Sequence, residues 1–308
     1  MKLVSYKLKE VPGTYRVGFL HNDKIIDVQE AYENYLLENG QKDLANIADR
    51  ILPVDPMKFF LTGSILLKET NAAYEYMKEK EELGLKRESV HLGTPISNPS
   101  KVICVGKNYA DHAAEMNSDV PEFPVLFAKF SNAIIGPEDD IEKSKETNKL
   151  DYEVELGVVI GKEASNVSRD DAYDYIAGYT IGNDISARDL QMRTQQWLQG
   201  KTLDRSTPIG PWVVTKEEVP DPSSLSIRSY VNDEERQSSH TSKLIFDIPF
   251  LMEYISSKIT LVPGDIILTG TPDGVGLAMD PPQFLNDGDL VTLEIENVGR
   301  MENKVVEK

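Results

Sequence analysis

From residue 101 onward, the chain is built from short apolar runs joined by turns, with few intervening helices. KVICVG, DYEVELGVVIG, AGYTIGNDIS, GPWVVT, SIRSYVN, DIILTG and LVTLEIE follow one another. The links between them are rich in Gly, Pro, Asn and Asp, the residues that tolerate tight turns. A doubly wound sheet needs a crossover helix between successive strands, and this segment does not supply them regularly. The expected fold class is therefore α+β, mainly β. Helices are expected over KNYADHAAEM, SRDDAYDYI (with Ser168 as cap), ARDLQMRTQQWLQ and FDIPFLMEYISS. Before residue 95 the pattern differs. Strand-like YRVGFL and KIIDV precede a helix expected from Gln29 to Asn39, and residues 64–88 look helical, closing on the charge-dense, solvated KEKEELGLKRES. HLGTPISNPS, with two prolines, marks a boundary, so the expected division is a small α/β domain over 1–94 and a catalytic domain over 95–308.

Charge and cysteine content narrow the function. The formal net charge of −18 over 308 residues argues against nucleic acid and against an anionic membrane surface as partners. An anionic small molecule is still admissible, because charges beyond roughly 8 Å are screened at physiological salt and the local site decides. One cysteine, Cys104, allows neither an internal disulfide nor a cysteine-rich zinc site. The first residues, MKLVSYKLKE, carry no apolar stretch of the signal-peptide kind, and the expected location is the cytoplasm.

The candidate chemistry lies in LDYEVELGVVI, residues 150–160. Side chains alternate along a strand, so Glu153 and Glu155 share a face. Such a face is most often simply wet. Here Gly157 and Val159 continue it with small or apolar residues, and the next strand pattern ends in a lone acid, Asp184, among apolar neighbours. Three converging carboxylates suit Mg²⁺ or Mn²⁺, which prefer hard oxygen ligands. Zinc fits less well without His or Cys beside them. His112 and Glu115, three apart on an expected helix, share a face and could form a base pair or an ordinary surface pair. TGTPDGVG (269–276) does not fit G-x-G-x-x-G, so a nucleotide loop is rejected.

LDYEVELGVVIG, AGYTIGNDISARDLQ, GKTLDRSTPIGPWV and GDIILTGTPDGVG, in this order and spacing, resemble the fumarylacetoacetate hydrolase superfamily over roughly residues 95–308. The resemblance implies a mixed β-roll, usually a homodimer, with one Mg²⁺ or Mn²⁺ per subunit held by Glu153, Glu155 and Asp184. It implies that His112 and Glu115 activate water or move a proton, and that Lys201 supports a carbonyl oxygen or oxyanion. It also implies substrate contacts from Tyr109, Arg188, Gly270 and Thr271, with Lys107 in the same block as Tyr109. For Arg188 the plain alternative is a helix-start ion pair with Asp189.

The implied substrate is a small anionic 2-oxo acid. A bound cation would stabilise the enolate that forms when the bond beside the keto group breaks. The leading expectation is hydrolysis of an acylpyruvate-type 2,4-dioxo acid. Oxaloacetate decarboxylation comes next, then isomerase or hydratase chemistry on a hydroxymuconate-like diacid. A catalytically weak scaffold or regulatory protein of the same fold is the alternative from another class.

Overall fold

The computed structural model describes residues 1–78, 80, 84–116 and 118–308. Two sheets organise it. The larger runs, strand beside strand, through Leu85–Lys86, Lys24–Asp27, Arg16–His21, Lys2–Leu8, Thr207–Thr215, Ile176–Asn183, Val154–Ile160, Ile266–Leu268, Val102–Gly106 and Val125–Lys129. The smaller holds Glu234–His240, Ser226–Val231, Leu290–Ile295, Gly299–Glu307 and Ile141–Lys143. Pairing is antiparallel except at a few joins, such as Ile266–Leu268 against Val102–Gly106. The mainly β, α+β class expected from the turn-rich pattern is the class observed. No helix among the described residues is long and apolar enough to cross a membrane.

The alternation of the central strand explains its place. Leu156, Val158 and Ile160 point into a core shared with Ile227, Leu293, Ile295 and Val305 of the smaller sheet. Val159, on the opposite face, joins a second core with Phe19, Leu36 and Phe59 from the first ninety residues. The strand is buried on both faces, so no wet face exists along it. The N-terminal segment also shares the larger sheet, through Lys2↔Val214 and Leu3↔Val213.

Helices form where their caps and apolar spacing agree. Asp27 caps Val28–Glu38, accepting from the N–H groups of Gln29 and Glu30, and Val28, Ala31, Tyr32 and Leu36 form its buried stripe. Asp247 caps Ile248–Ser256 in the same way through Phe250 N.

Three expected helices are corrected. The helix expected over 64–88 is Ser64–Met77; Leu85–Lys86 instead pairs with Lys24–Asp27. Gly84, at φ +108°, turns the chain into that pairing. Of the charged run, residues 79 and 81–83 lie outside the described residues, while most of 84–89 is exposed. SRDDAYDYI contains only a 3₁₀ turn, Ala172–Tyr175. ARDLQMRTQQWLQ breaks into Arg188–Gln191 and Leu198–Lys201. There, a Cβ on Gly200 would lie 2.4 Å from Gln191 N and 2.6 Å from Ala187 O. Only glycine lets the second turn fold back so closely onto the first. An unbroken helix would carry Lys201 about 20 Å along its axis from Arg188; the fold-back brings both to one site.

Candidate metal centre and active site

Glu155 lies inside the strand Val154–Ile160, and Glu153 in the two-residue break that precedes it. Asp184 follows the partner strand Ile176–Asn183, and its N–H donates to Glu153 O (2.9 Å). One ligand oxygen from each of the three carboxylates lies within 4.8 Å of the others, and all three residues are buried.

Buried carboxylates demand compensation, since removing one partner of a buried ion pair costs about 3–5 kcal/mol. Lys201 Nζ donates to Glu153 Oε2 (2.8 Å) and Asp184 Oδ2 (2.7 Å). Lys129 Nζ lies 2.8 Å from Asp184 Oδ1, off the angle of a hydrogen bond, and donates to the carbonyl of Ile185 and, closely, to that of Lys201. Arg188 reaches Asp151 Oδ2 through Nε and Glu153 Oε1 through Nη1, both at 2.8 Å. Asp151 also accepts from Gly276 N and Leu277 N. Three cations thus face four acids.

Among the described residues Glu155 has no ion-pair partner; its Oε2 accepts only from Gly270 N (2.8 Å). Burial, with Asp184 and then Glu153 beside it, pushes its carboxyl well above the usual range. Glu153 differs. Burial would raise it, but Lys201 and Arg188 outweigh burial and hold it well below the usual range. Burial likewise pulls Lys201 down, and Asp184 and Glu153 overcome it and keep the ammonium above its ordinary value. The three clustered carboxyl groups, and the Asp184 oxygen that accepts no hydrogen bond among the described residues, fit a hard divalent cation.

His112 Nδ1 meets Glu115 Oε1 at 2.7 Å. Glu115 Oε2 accepts from Gly274 N (2.9 Å), so the carboxylate is fixed at both ends. The carboxylate accepts at Nδ1, which leaves Nε2 as the basic ring nitrogen. His112, Glu153, Glu155, Arg188, Lys201 and Thr271 line one cavity of about 50 Å³, with Phe127, Trp197 and Met116 around them.

Three expected contacts look different in place. Arg188 does not pair with Asp189, which instead accepts from Thr147 Oγ1 and Asn148 N. Lys107 lines the cavity and Tyr109 does not. The Tyr109 hydroxyl is buried without a hydrogen-bond partner among the described residues, and burial, helped by the charge of Glu155, pushes it above the usual tyrosine range. Gly270 serves packing and ligand orientation. A Cβ there would meet Asn108 Cβ at 2.8 Å and Val105 O at 3.0 Å, at φ +106°. We expect Gly270→Ala to lose about 1–3 kcal/mol of stability from backbone strain, read as a lower thermal midpoint; an unchanged midpoint would contradict the packing.

Lys129, Asp151, Gln191 and Gln237 were not singled out from sequence. Lys129 closes KVICVG's neighbour strand, Val125–Lys129, and only its burial at the triad reveals its role.

Comparison with known proteins places this geometry. Residues 101–306 match the family described as fumarylacetoacetate (FAA) hydrolase, C-terminal. The chain is 42% identical over 310 residues to "Oxaloacetate tautomerase fahd2, mitochondrial" of Xenopus laevis, covering 99% of this chain and 90% of that protein. It is 41% identical over 298 residues to "Oxaloacetate tautomerase YisK" of Bacillus subtilis (strain 168), covering 94% and 95%. A solved maleylpyruvate hydrolase from Sphingobium sp. SYK-6, in complex with manganese(II) ion and pyruvate, superposes with a TM-score of 0.73 at 27% identity, covering 100% of this chain and 99% of that one. The chain belongs to the fumarylacetoacetate hydrolase family.

Proposed function

We propose that this protein interconverts the keto and enol forms of oxaloacetate, or of a similarly compact 2-oxo diacid, with Mg²⁺ or Mn²⁺ as cofactor. The observation that carries the reading is one small cavity lined by His112, which Glu115 holds, and by Glu153 and Glu155 of the Glu153–Glu155–Asp184 triad. The names of the two relatives support it.

Glu153, Glu155 and Asp184 would hold the cation, which supplies Lewis-acid polarisation of the substrate's keto oxygen. His112 Nε2 takes a proton from the carbon beside the keto group, while Glu115 steadies the imidazolium that forms. The enolate oxygen gains a proton from solvent to give the enol; in the reverse direction the enol oxygen gives up its proton and His112 Nε2 returns one to the carbon. No water is consumed and no carbon–carbon bond breaks. The Lys201 ammonium, held at the triad, lies where negative charge develops on oxygen. Arg188, whose Nη2 has no hydrogen-bond partner among the described residues, and Thr271 supply donors for the substrate's carboxylates.

Hydrolysis of a 2,4-dioxo acid is the second reading. It is favoured by the same His112–Glu115 pair, which could instead deprotonate water. The small cavity gives less room for an acyl tail together with that water.

One experiment separates these. The enol of oxaloacetate is followed by its ultraviolet absorbance, and pyruvate by a coupled dehydrogenase, with acetylpyruvate in parallel. The expected result is fast enol decay without matching pyruvate, abolished by EDTA and restored by Mn²⁺. Stoichiometric pyruvate from oxaloacetate would make the protein a decarboxylase, and cleavage of acetylpyruvate would make it a hydrolase. Full activity after complete metal removal would overturn the metal assignment.

A further inference from the structure

Gln237 sits in DEERQSSH, a run that reads as a solvated strand edge. In the smaller sheet it is instead fully buried. Its amide satisfies all four of its hydrogen bonds. Oε1 accepts from Val154 N (3.1 Å), between the two glutamates, and from Ser229 Oγ (2.9 Å), its cross-strand neighbour. Nε2 donates to Thr271 Oγ1 (2.7 Å) and to Pro272 O (2.8 Å).

These partners leave the amide one orientation. The Val154 N–H can only donate and the Pro272 carbonyl can only accept, so a flipped amide would face donor with donor and acceptor with acceptor. Nε2 therefore points at Thr271, and Thr271 Oγ1 must act as the acceptor of that contact. A hydroxyl has a single hydrogen, and among the described residues no hydrogen bond uses it. Thr271 lines the cavity. Its hydrogen is thus reserved for whatever enters.

We propose that Gln237 is a positioning residue that fixes Thr271 as a hydrogen-bond donor, so that this corner of the cavity selects a carboxylate oxygen and disfavours a donor group. The inference rests on the anionic-substrate reading above. It adds that the selection is set from the second sheet, by a residue that never touches the ligand. Because Gln237 also holds Val154, one amide sets both the threonine's polarity and the backbone between two triad carboxylates.

The test uses oxalate, a dianion that binds without turnover, titrated calorimetrically into the full-length Mn²⁺-loaded protein. A lost hydrogen bond to a charged group corresponds to roughly 10-fold to 100-fold in affinity. Thr271→Val should weaken oxalate by about that factor, and Thr271→Ser, which keeps the donor, should stay within about 3-fold. Gln237→Glu keeps the acceptor toward Val154 but offers Thr271 an acceptor, so the hydroxyl should turn away and oxalate should weaken as in Thr271→Val. Gln237→Met is the neutral control. In the Thr271→Val protein neither Gln237 change should weaken oxalate much further, whereas a merely structural role would add its full effect in both backgrounds. Unchanged oxalate affinity in Thr271→Val, or fully additive Gln237 effects, would overturn the inference. Should the Gln237 variants fold poorly, equal losses in Thr271→Val and Thr271→Ser would also overturn it. An inactive wild type that still shows the oxalate pattern would overturn the tautomerase reading and leave this inference standing.

Discussion

Asp184→Asn should weaken Mn²⁺ binding by more than about 100-fold, beyond the usual cost of losing an outer-shell partner. Turnover should fall by about 10³-fold, because Lewis-acid polarisation supplies several kcal/mol. The substitution hardly changes shape, so charge carries the effect. Asp184 is fully buried, with Lys201 at 2.7 Å and Lys129 at 2.8 Å. Asparagine removes one of three anionic ligands and leaves two buried ammonium groups short of a partner. Stability should also drop by about 3–5 kcal/mol, as when a buried pair is broken. Calorimetric titration with Mn²⁺ and a thermal melt read both. Unchanged Mn²⁺ affinity would remove Asp184 from the ligand set. The wild type should show a linked pH effect. The Glu155 carboxyl is raised in the metal-free protein, while ligation needs its carboxylate form. Apparent Mn²⁺ affinity should therefore fall as pH is lowered through that raised value and recover as it rises.

His112→Ala should slow enol decay by about 10²-fold to 10⁴-fold, the range for loss of a general acid–base. Metal affinity should change little, because His112 hydrogen-bonds Glu115 and no carboxylate of the triad. Glu115→Gln should cost less. Its single amide oxygen can accept from only one of the two donors, His112 Nδ1–H or Gly274 N–H, and it no longer stabilises a protonated ring. A rate unchanged in His112→Ala at saturating Mn²⁺ would move proton transfer to another group. Equal losses of rate and metal affinity would mean the substitution had disturbed the triad.

The sequence exposed those parts of the site whose signals are local. Glu153 and Glu155 stand two apart in an apolar run, Asp184 closes the next strand, and His112 and Glu115 share one helical turn. These five residues meet as the alternation and helix rules suggest. What it concealed depends on chain segments distant in sequence. Lys201 reaches the triad only because Gly200 packs against Gln191 and Ala187, and an uninterrupted helix was the natural reading of that stretch. Arg188 looked like a partner for its neighbour Asp189, yet it bridges Asp151 and Glu153, more than thirty residues away. Gln237 lies among charged residues, and only the second sheet's approach buries it. Of the block GKNYADH, Lys107 faces the cavity as expected and Tyr109 does not, because a two-residue offset along an irregular segment decides which side chain faces it.

The Lys201 ammonium, resting between Glu153 and Asp184, would shape how the protein takes up the divalent ion proposed for this site. The chain carries its own monovalent counter-ion on a tether, so the triad can be assembled before any divalent ion arrives. Folding need not wait for loading, in contrast to small domains that stay unfolded until a metal binds. Loading then becomes an ion exchange. A weakly held monovalent cation cannot compete with an ammonium already hydrogen-bonded in place. Only an ion of higher charge would gain enough from Glu155, which has no ion-pair partner among the described residues, to share the carboxylates with it.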